Sequence, residues 1–119
     1  MQIELPLPIP LAGLAPAYAE FFDCFNRGKY FQAHSVLESL WLPRRRDPMA
    51  DFYQGLIQLA GAFVHVEKGR LRPAIQLLDL AERNLAKYPE VCEQLNVVAI
   101  RQLIQQWKTG IEKQEASSH

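Results

Sequence analysis

The chain is poor in the features that mark several protein classes. Its 119 residues hold two cysteines, Cys24 and Cys92, too few for a disulfide-stapled scaffold and without the paired spacing of a metal site. Neither sign of charge is in excess. The 13 basic side chains offset 13 acidic ones, so no whole-molecule field draws the chain onto nucleic acid or an anionic membrane. Long apolar runs are missing as well. The longest uncharged stretch, Phe52 to Val66, is interrupted by Gln54, Gln58 and His65 and falls short of the roughly 20 apolar residues of a membrane span. The apolar opening carries Glu4 where an export signal has basic residues, and Pro6, Pro8 and Pro10 prevent a helical apolar segment there. A cytoplasmic protein is expected. No activated nucleophile, phosphate-cradling glycine loop or dense carboxylate cluster occurs. Hence no cofactor and no metal is implied, and neither nucleic acid nor membrane is an expected partner.

What is present is a helical pattern. With 49% hydrophobic and 22% charged residues, the chain has the length and balance of one domain. Apolar residues recur at helical spacing after residue 14, and no stretch alternates cleanly enough for a strand. The fold class predicted is all-α, a compact bundle of about five helices. Residues 1–15 form an extended proline-containing arm, 16–111 a single helical domain, and 112–119 a polar, frayed tail. The first helix runs from about Pro16 to Arg27 and stops at Gly28; the second spans about Tyr30 to Leu42. A long third helix extends from Met49 to Lys68 and stops at Gly69. The fourth begins near Pro73 and ends before Pro89. A fifth covers about Val97 to Thr109, capped by Asn96 and preceded by a short helical turn.

The chain also resembles itself. Gly28-Lys-Tyr-Phe-Gln-Ala33 aligns with Gly69-Arg-Leu-Arg-Pro-Ala74 at an offset of 41 residues, and in that register Phe22 falls on Phe63, Leu37 on Leu78 and Glu38 on Asp79. Each copy is a helix, a glycine turn and a second helix, the grammar of a tetratricopeptide-like hairpin. Two copies are too few for an open array, so a bundle closed by the fifth helix or by a second subunit is expected. The alternating prolines around Leu5, Leu7 and Ile9 favour an extended conformation. They are read as a strap across the bundle, since the spacing recognised by proline-binding grooves is absent.

One polar cluster stands out. On the second helix His34, Glu38 and Trp41 share a stripe flanked by Tyr30, Phe31 and Leu37, which places an ionisable pair within the inward, aromatic face. On the third helix Gln54, Gln58, Gly61 and His65 form a narrow stripe opposite Phe52, Leu56, Leu59, Phe63 and Val66, and Gly55 and Gly61 point to a closely passing backbone. An antiparallel pairing with equal arms brings Glu38 across from Gln54 and His34 across from Gln58. His65 then falls about 10 Å beyond the position facing His34, too far to share a zinc ion with it. The candidate cluster is therefore His34, Glu38, Gln54 and Gln58, with Tyr30, Trp41, Gly55 and His65 as candidate pocket lining. Two readings follow: a buried network that sets the register of two helices, or a small-ligand or proton-transfer site in which Glu38 orients His34.

The block from Phe25 through Gly28, His34 and Glu38 to Trp41, followed by Phe52-Tyr-Gln-Gly-Leu-Ile-Gln58-Leu-Ala and His65, resembles the prokaryotic domain of unknown function family 309. The likeness covers about residues 18–88. It implies a small all-helical protein without an assigned activity, and so a fold and no reaction. Such proteins usually carry glutamates where this chain has Gln32 and Ser35, both on the outward side of the second helix. The carried-over positions are His34, Glu38, Trp41, Gln54, Gly55, Gln58 and His65.

Elsewhere, Arg44 to Arg46 read as a solvated loop, the two cysteines as small core residues, and Trp107 with Leu103, Ile104 and Ile111 as the apolar face of the last helix. The function expected is a binding or scaffold module with a homodimer or protein partner. The alternative is a small enzyme or small-ligand-binding protein using His34 and Glu38 for acid-base chemistry.

Overall fold

The computed structural model describes residues 3–117. Five α-helices, α1 (Pro16–Asn26), α2 (Tyr30–Trp41), α3 (Ala50–Glu67), α4 (Leu71–Leu85) and α5 (Val97–Ser117), form an all-α bundle, accompanied by a 3₁₀ turn at Leu42–Arg44 and two short strands, β1 (Val91–Cys92) and β2 (Leu95–Asn96). Consecutive helices are neighbours in space, so α3 lies between α2 and α4 and α5 follows α4.

The self-similarity of the sequence is a structural duplication. α1 ends where Gly28 takes φ 77°, and α3 where Gly69 takes φ 73°, a left-handed conformation open to residues without a Cβ. Each turn closes the same way. Gly28 N donates to Phe25 O and Lys29 N to Cys24 O, while Gly69 N donates to Val66 O and Arg70 N to His65 O, all at 2.9–3.0 Å. These are the two bonds of a glycine-terminated helix end, in which carbonyls left over by the helix are satisfied. Beyond each turn the paired residues Ala33 and Ala74, and Leu37 and Leu78, are all fully buried.

Aromatic side chains hold the two hairpins and α5 together. Phe25 of α1, Phe63 of α3 and Trp107 of α5 meet one another, with ring centroids 5.8 Å apart for Phe25–Phe63, 5.1 Å for Phe63–Trp107 and 6.4 Å for Phe25–Trp107. Burying each such ring contributes about 1.5–3 kcal/mol, and the edge-on contacts add to that. α5 thus closes the bundle.

Three elements depart from the sequence expectation. α4 starts at Leu71, two residues before Pro73, because a proline is tolerated anywhere in the first turn, where its missing N–H has no partner to lose. The segment before α5 is an antiparallel pair, Val91 opposite Asn96 and Cys92 opposite Leu95, and not a helical turn. Glu93 and Gln94 make its two-residue turn with φ 48° and 61°, the left-handed pair such a turn demands; the usual Asn-Gly signal is missing there. Asn96 does cap α5, its Oδ1 accepting from Ala99 N at 3.0 Å. That helix passes Thr109 and the tail expected to fray and continues to Ser117, secured by fully buried Ile111 and by an Arg72–Glu115 ion pair of 3.2 Å. The last two residues of the expected tail lie outside the described residues.

The arm lies across the bundle. Leu5 is buried, and its backbone is gripped at both ends by the Asn26 amide: Leu5 N donates to Oδ1 at 2.7 Å and Nδ2 donates to Leu5 O at 3.0 Å. Further along, Ile9 N donates to Gln94 O at 2.8 Å and Gln94 Nε2 to Pro10 O. No helix among the described residues is long and apolar enough to cross a membrane.

Candidate functional site

α2 and α3 pack along each other, and the His34 ring reaches α3 beside Gly61, where Gln58 was expected to face it. The His34 ring, through Cδ2, lies 3.8 Å from where a Cβ on Gly61 would stand, and Leu77 Cδ1 of α4 lies 3.4 Å from the same point. His34 therefore meets α3 at Gly61, one turn past Gln58, in a seam shared by α2, α3 and α4. The connection between them is itself partly helical. After Trp41 the chain continues helically through Leu42–Arg44, held by Arg44 Nη1 donating to Leu40 O at 2.8 Å and Arg45 Nε to Leu42 O at 3.1 Å.

Gln58 looks the other way. Its Oε1 accepts from Asn84 Nδ2 of α4 at 2.8 Å. Lys87 Nζ then donates to Asn84 Oδ1 at 3.1 Å and to Asp51 Oδ2 at 2.7 Å, so a polar belt runs from α3 to α4 and back to the start of α3. Gly55 lies beneath it, where an added Cβ would stand 3.2 Å from both Asn84 Cβ and Leu85 Cγ. The close approach foreseen for this glycine is to α4. Of the two α3 amides, Gln58 answers α4, and among the described residues neither answers α2.

The remaining candidates do not converge. His34, Glu38 and Gln54 are half-buried, and among the described residues none of their side chains makes a hydrogen bond or ion pair, including between His34 and Glu38. No charged, amide or imidazole side chain is fully buried there, so the cluster expected to be enclosed lies along a half-open seam. Trp41 Nε1 and His65 Nδ1 are enclosed without a partner. Tyr30 belongs to the core: its ring is 5.1 Å from Phe25 and 5.4 Å from Phe63, and burial, with the Glu67 carboxylate adding to it, raises its phenol above the ordinary range. Among the described residues no three histidine, cysteine or carboxylate groups stand where they could hold a metal.

Surface concavities lie elsewhere. One of about 550 Å³ is bounded by Leu42, Pro43, Arg45 and Arg46. Another, of about 350 Å³, lies between α1 and α2 and is lined by Glu20, Cys24, Phe31, Gln32, Ser35 and Val36. Neither includes His34, Glu38, Gln54 or Gln58. Phe31, placed by its periodicity beside the inward stripe, is 69% exposed, because α2 turns that edge away from α3. Acid-base chemistry needs a base within hydrogen-bonding reach of its acid and its substrate. In this seam α2, α3 and α4 meet, with the His34 ring and Leu77 both beside Gly61. The residues missed from the sequence are Asp51, Asn84 and Lys87; the bonds that tie α3 to α4 join residues 26 and 36 apart, and the only local hint was Gly55.

Residues 18–77 match the family model described as Domain of unknown function (DUF309). The chain belongs to the DUF309 family. The DUF309 match spans both glycine turns and every position of the candidate cluster, and it ends before Asn84, so the belt that anchors Gln58 is completed outside the matched segment. No curated protein and no solved structure matches the chain. The DUF309 description assigns no activity, so any role must come from the geometry.

Proposed function

We propose that this DUF309 protein is a binding module, a tetratricopeptide-like pair of helical hairpins that engages a partner through its outer faces and performs no catalysis. The observation that carries this reading is the duplication, two hairpins whose glycine turns share the same hydrogen bonds and backbone conformation, packed so that α2 meets the seam of the second. Stacked hairpins of this kind work through extended surfaces. The pairing of Gln58 with Asn84 of α4 supports the same reading, since it removes that amide from the face shared with His34 and Glu38.

A second reading has one observation in its favour. Trp41 Nε1 and His65 Nδ1 are each enclosed without a partner, at opposite ends of the α2–α3 pair, and a small polar ligand entering the seam at either end would satisfy the one it meets. A metabolite thermal-shift screen on the wild-type chain and on His34→Ala and Glu38→Gln decides between the two. The module reading expects both variants to fold and no compound whose stabilisation depends on His34 or Glu38. A compound that raises the melting temperature of the wild type and of neither variant overturns it in favour of a small-ligand site.

A further inference from the structure

The duplication makes one face of the molecule comparable with another. In the second hairpin the groove between α3 and α4 is filled: Gly61 and Leu77 receive the His34 ring of α2. The corresponding groove in the first hairpin, one repeat earlier, lies between Glu20 and Val36. It is the concavity of about 350 Å³ lined also by Cys24, Phe31, Gln32 and Ser35, and among the described residues no element fills it. At the other end of the stack the equivalent of the His34 and Glu38 face is the face of α4, and α5 covers it, with Lys108 Nζ 2.7 Å from Asp79 Oδ1 and Arg101 Nη2 2.9 Å from Glu82 Oε1. The stack is capped forward and open backward.

The open end is not a polar cap of the kind a terminal hairpin needs in water. Phe31 is 69% exposed beside the groove, where its counterpart Arg72 is ion-paired with Glu115. We propose that this groove is an interface between two copies of the chain related by a two-fold axis, with Phe31 of each copy seated against Val36 of the other. The inference rests on reading the protein as an interaction module and names its partner.

Two observations favour a second copy. A head-to-tail stack would require the α4 face, which α5 occupies, so the groove is left to pair with itself, as in an isologous dimer. The charges are also self-complementary. Lys29 lies at the glycine-turn end with Phe31, and Glu20 lies at the Val36 end. Both act on the Cys24 thiol between them: Glu20 helps burial raise its pKa and Lys29 opposes it. A two-fold axis crossing α2 between Phe31 and Val36 therefore brings Lys29 of each copy to Glu20 of the other.

Sedimentation equilibrium on the full chain, from micromolar to millimolar, tests the proposal. The wild type is expected to dimerise, and Phe31→Glu to weaken the dimer by about tenfold or more. Glu20→Lys and Lys29→Glu should each weaken it, while the double variant regains affinity. All three side chains are exposed, so circular dichroism should find every variant folded. A wild type that stays monomeric overturns the proposal and leaves the groove to a different helical partner. A dimer indifferent to Phe31→Glu overturns the assigned surface. Either result leaves the module reading standing, because that reading is decided by the small-molecule screen.

Discussion

Gly55→Ala and Gly61→Ala are the same substitution on the same helix, and the structure predicts opposite signs. Within a helix, alanine is favoured over glycine by about 1 kcal/mol. At Gly61 a new methyl meets Leu77 Cδ1 at 3.4 Å and the His34 ring at 3.8 Å, ordinary contacts, so the propensity gain survives and stability rises by about 0.5–1 kcal/mol. At Gly55 the methyl meets Asn84 Cβ and Leu85 Cγ at 3.2 Å and Leu85 Cδ2 at 3.3 Å. Asn84 Cβ is fixed to the backbone of α4, so relief requires moving a helix. Overpacking of this kind costs about 1–3 kcal/mol. Parting α3 from α4 also strains the Asn84–Gln58 bond, worth about 1 kcal/mol. The expected net loss is about 1 kcal/mol or more. Urea titration followed by circular dichroism measures both variants; the midpoints should move in opposite directions with unchanged slopes. If Gly55→Ala proves as stable as Gly61→Ala, the tight approach of α3 to α4 is refuted, and with it the account of the belt through Gln58.

The four tyrosines, Tyr18, Tyr30, Tyr53 and Tyr88, are all held above the ordinary phenol range, in each case chiefly by burial. Each folded pKa being raised, the associated stability is fully present below about pH 10, where unfolded tyrosine ionises, and is lost as pH rises beyond it. Ultraviolet titration should show phenolate appearing together with loss of helical circular dichroism; four phenols titrating normally in folded protein would contradict the packing described. Asn26→Ala removes both bonds to Leu5 and should cost about 1–3 kcal/mol, read as a lower urea midpoint and faster proteolysis within the arm. An unchanged midpoint would show that the arm is held by apolar contact alone.

The helices and both glycine turns were legible because they rest on local signals: apolar spacing, Gly28 and Gly69, and the cap at Asn96. The duplication was legible for the same reason, its copies differing by a constant offset. What escaped was set by distant partners. The His34 ring lies beside Gly61, where Gln58 was expected, and Pro43, which reads as a break, lies within a 3₁₀ turn that follows directly on α2. Gln58 found Asn84, 26 residues on, and nothing local in either residue announces the other. Phe31 looked inward by its neighbours on the helical wheel, yet a helix has edges as well as faces, and this edge lies beyond the contact with α3. The β1–β2 turn was hidden because Glu93 and Gln94 adopt left-handed backbone without the small residues that usually betray it.

The two anchors of the arm differ in when they become available. Asn26 leaves the ribosome 21 residues after Leu5, so the first clasp can close as soon as α1 has formed. The second waits for Gln94, by which time four of the five helices have been made. Closing a segment of that length is entropically slower. During synthesis, then, Leu7, Ile9 and Leu11 hang from a chain already tethered at Leu5, and the arm finishes folding after most of the body it crosses.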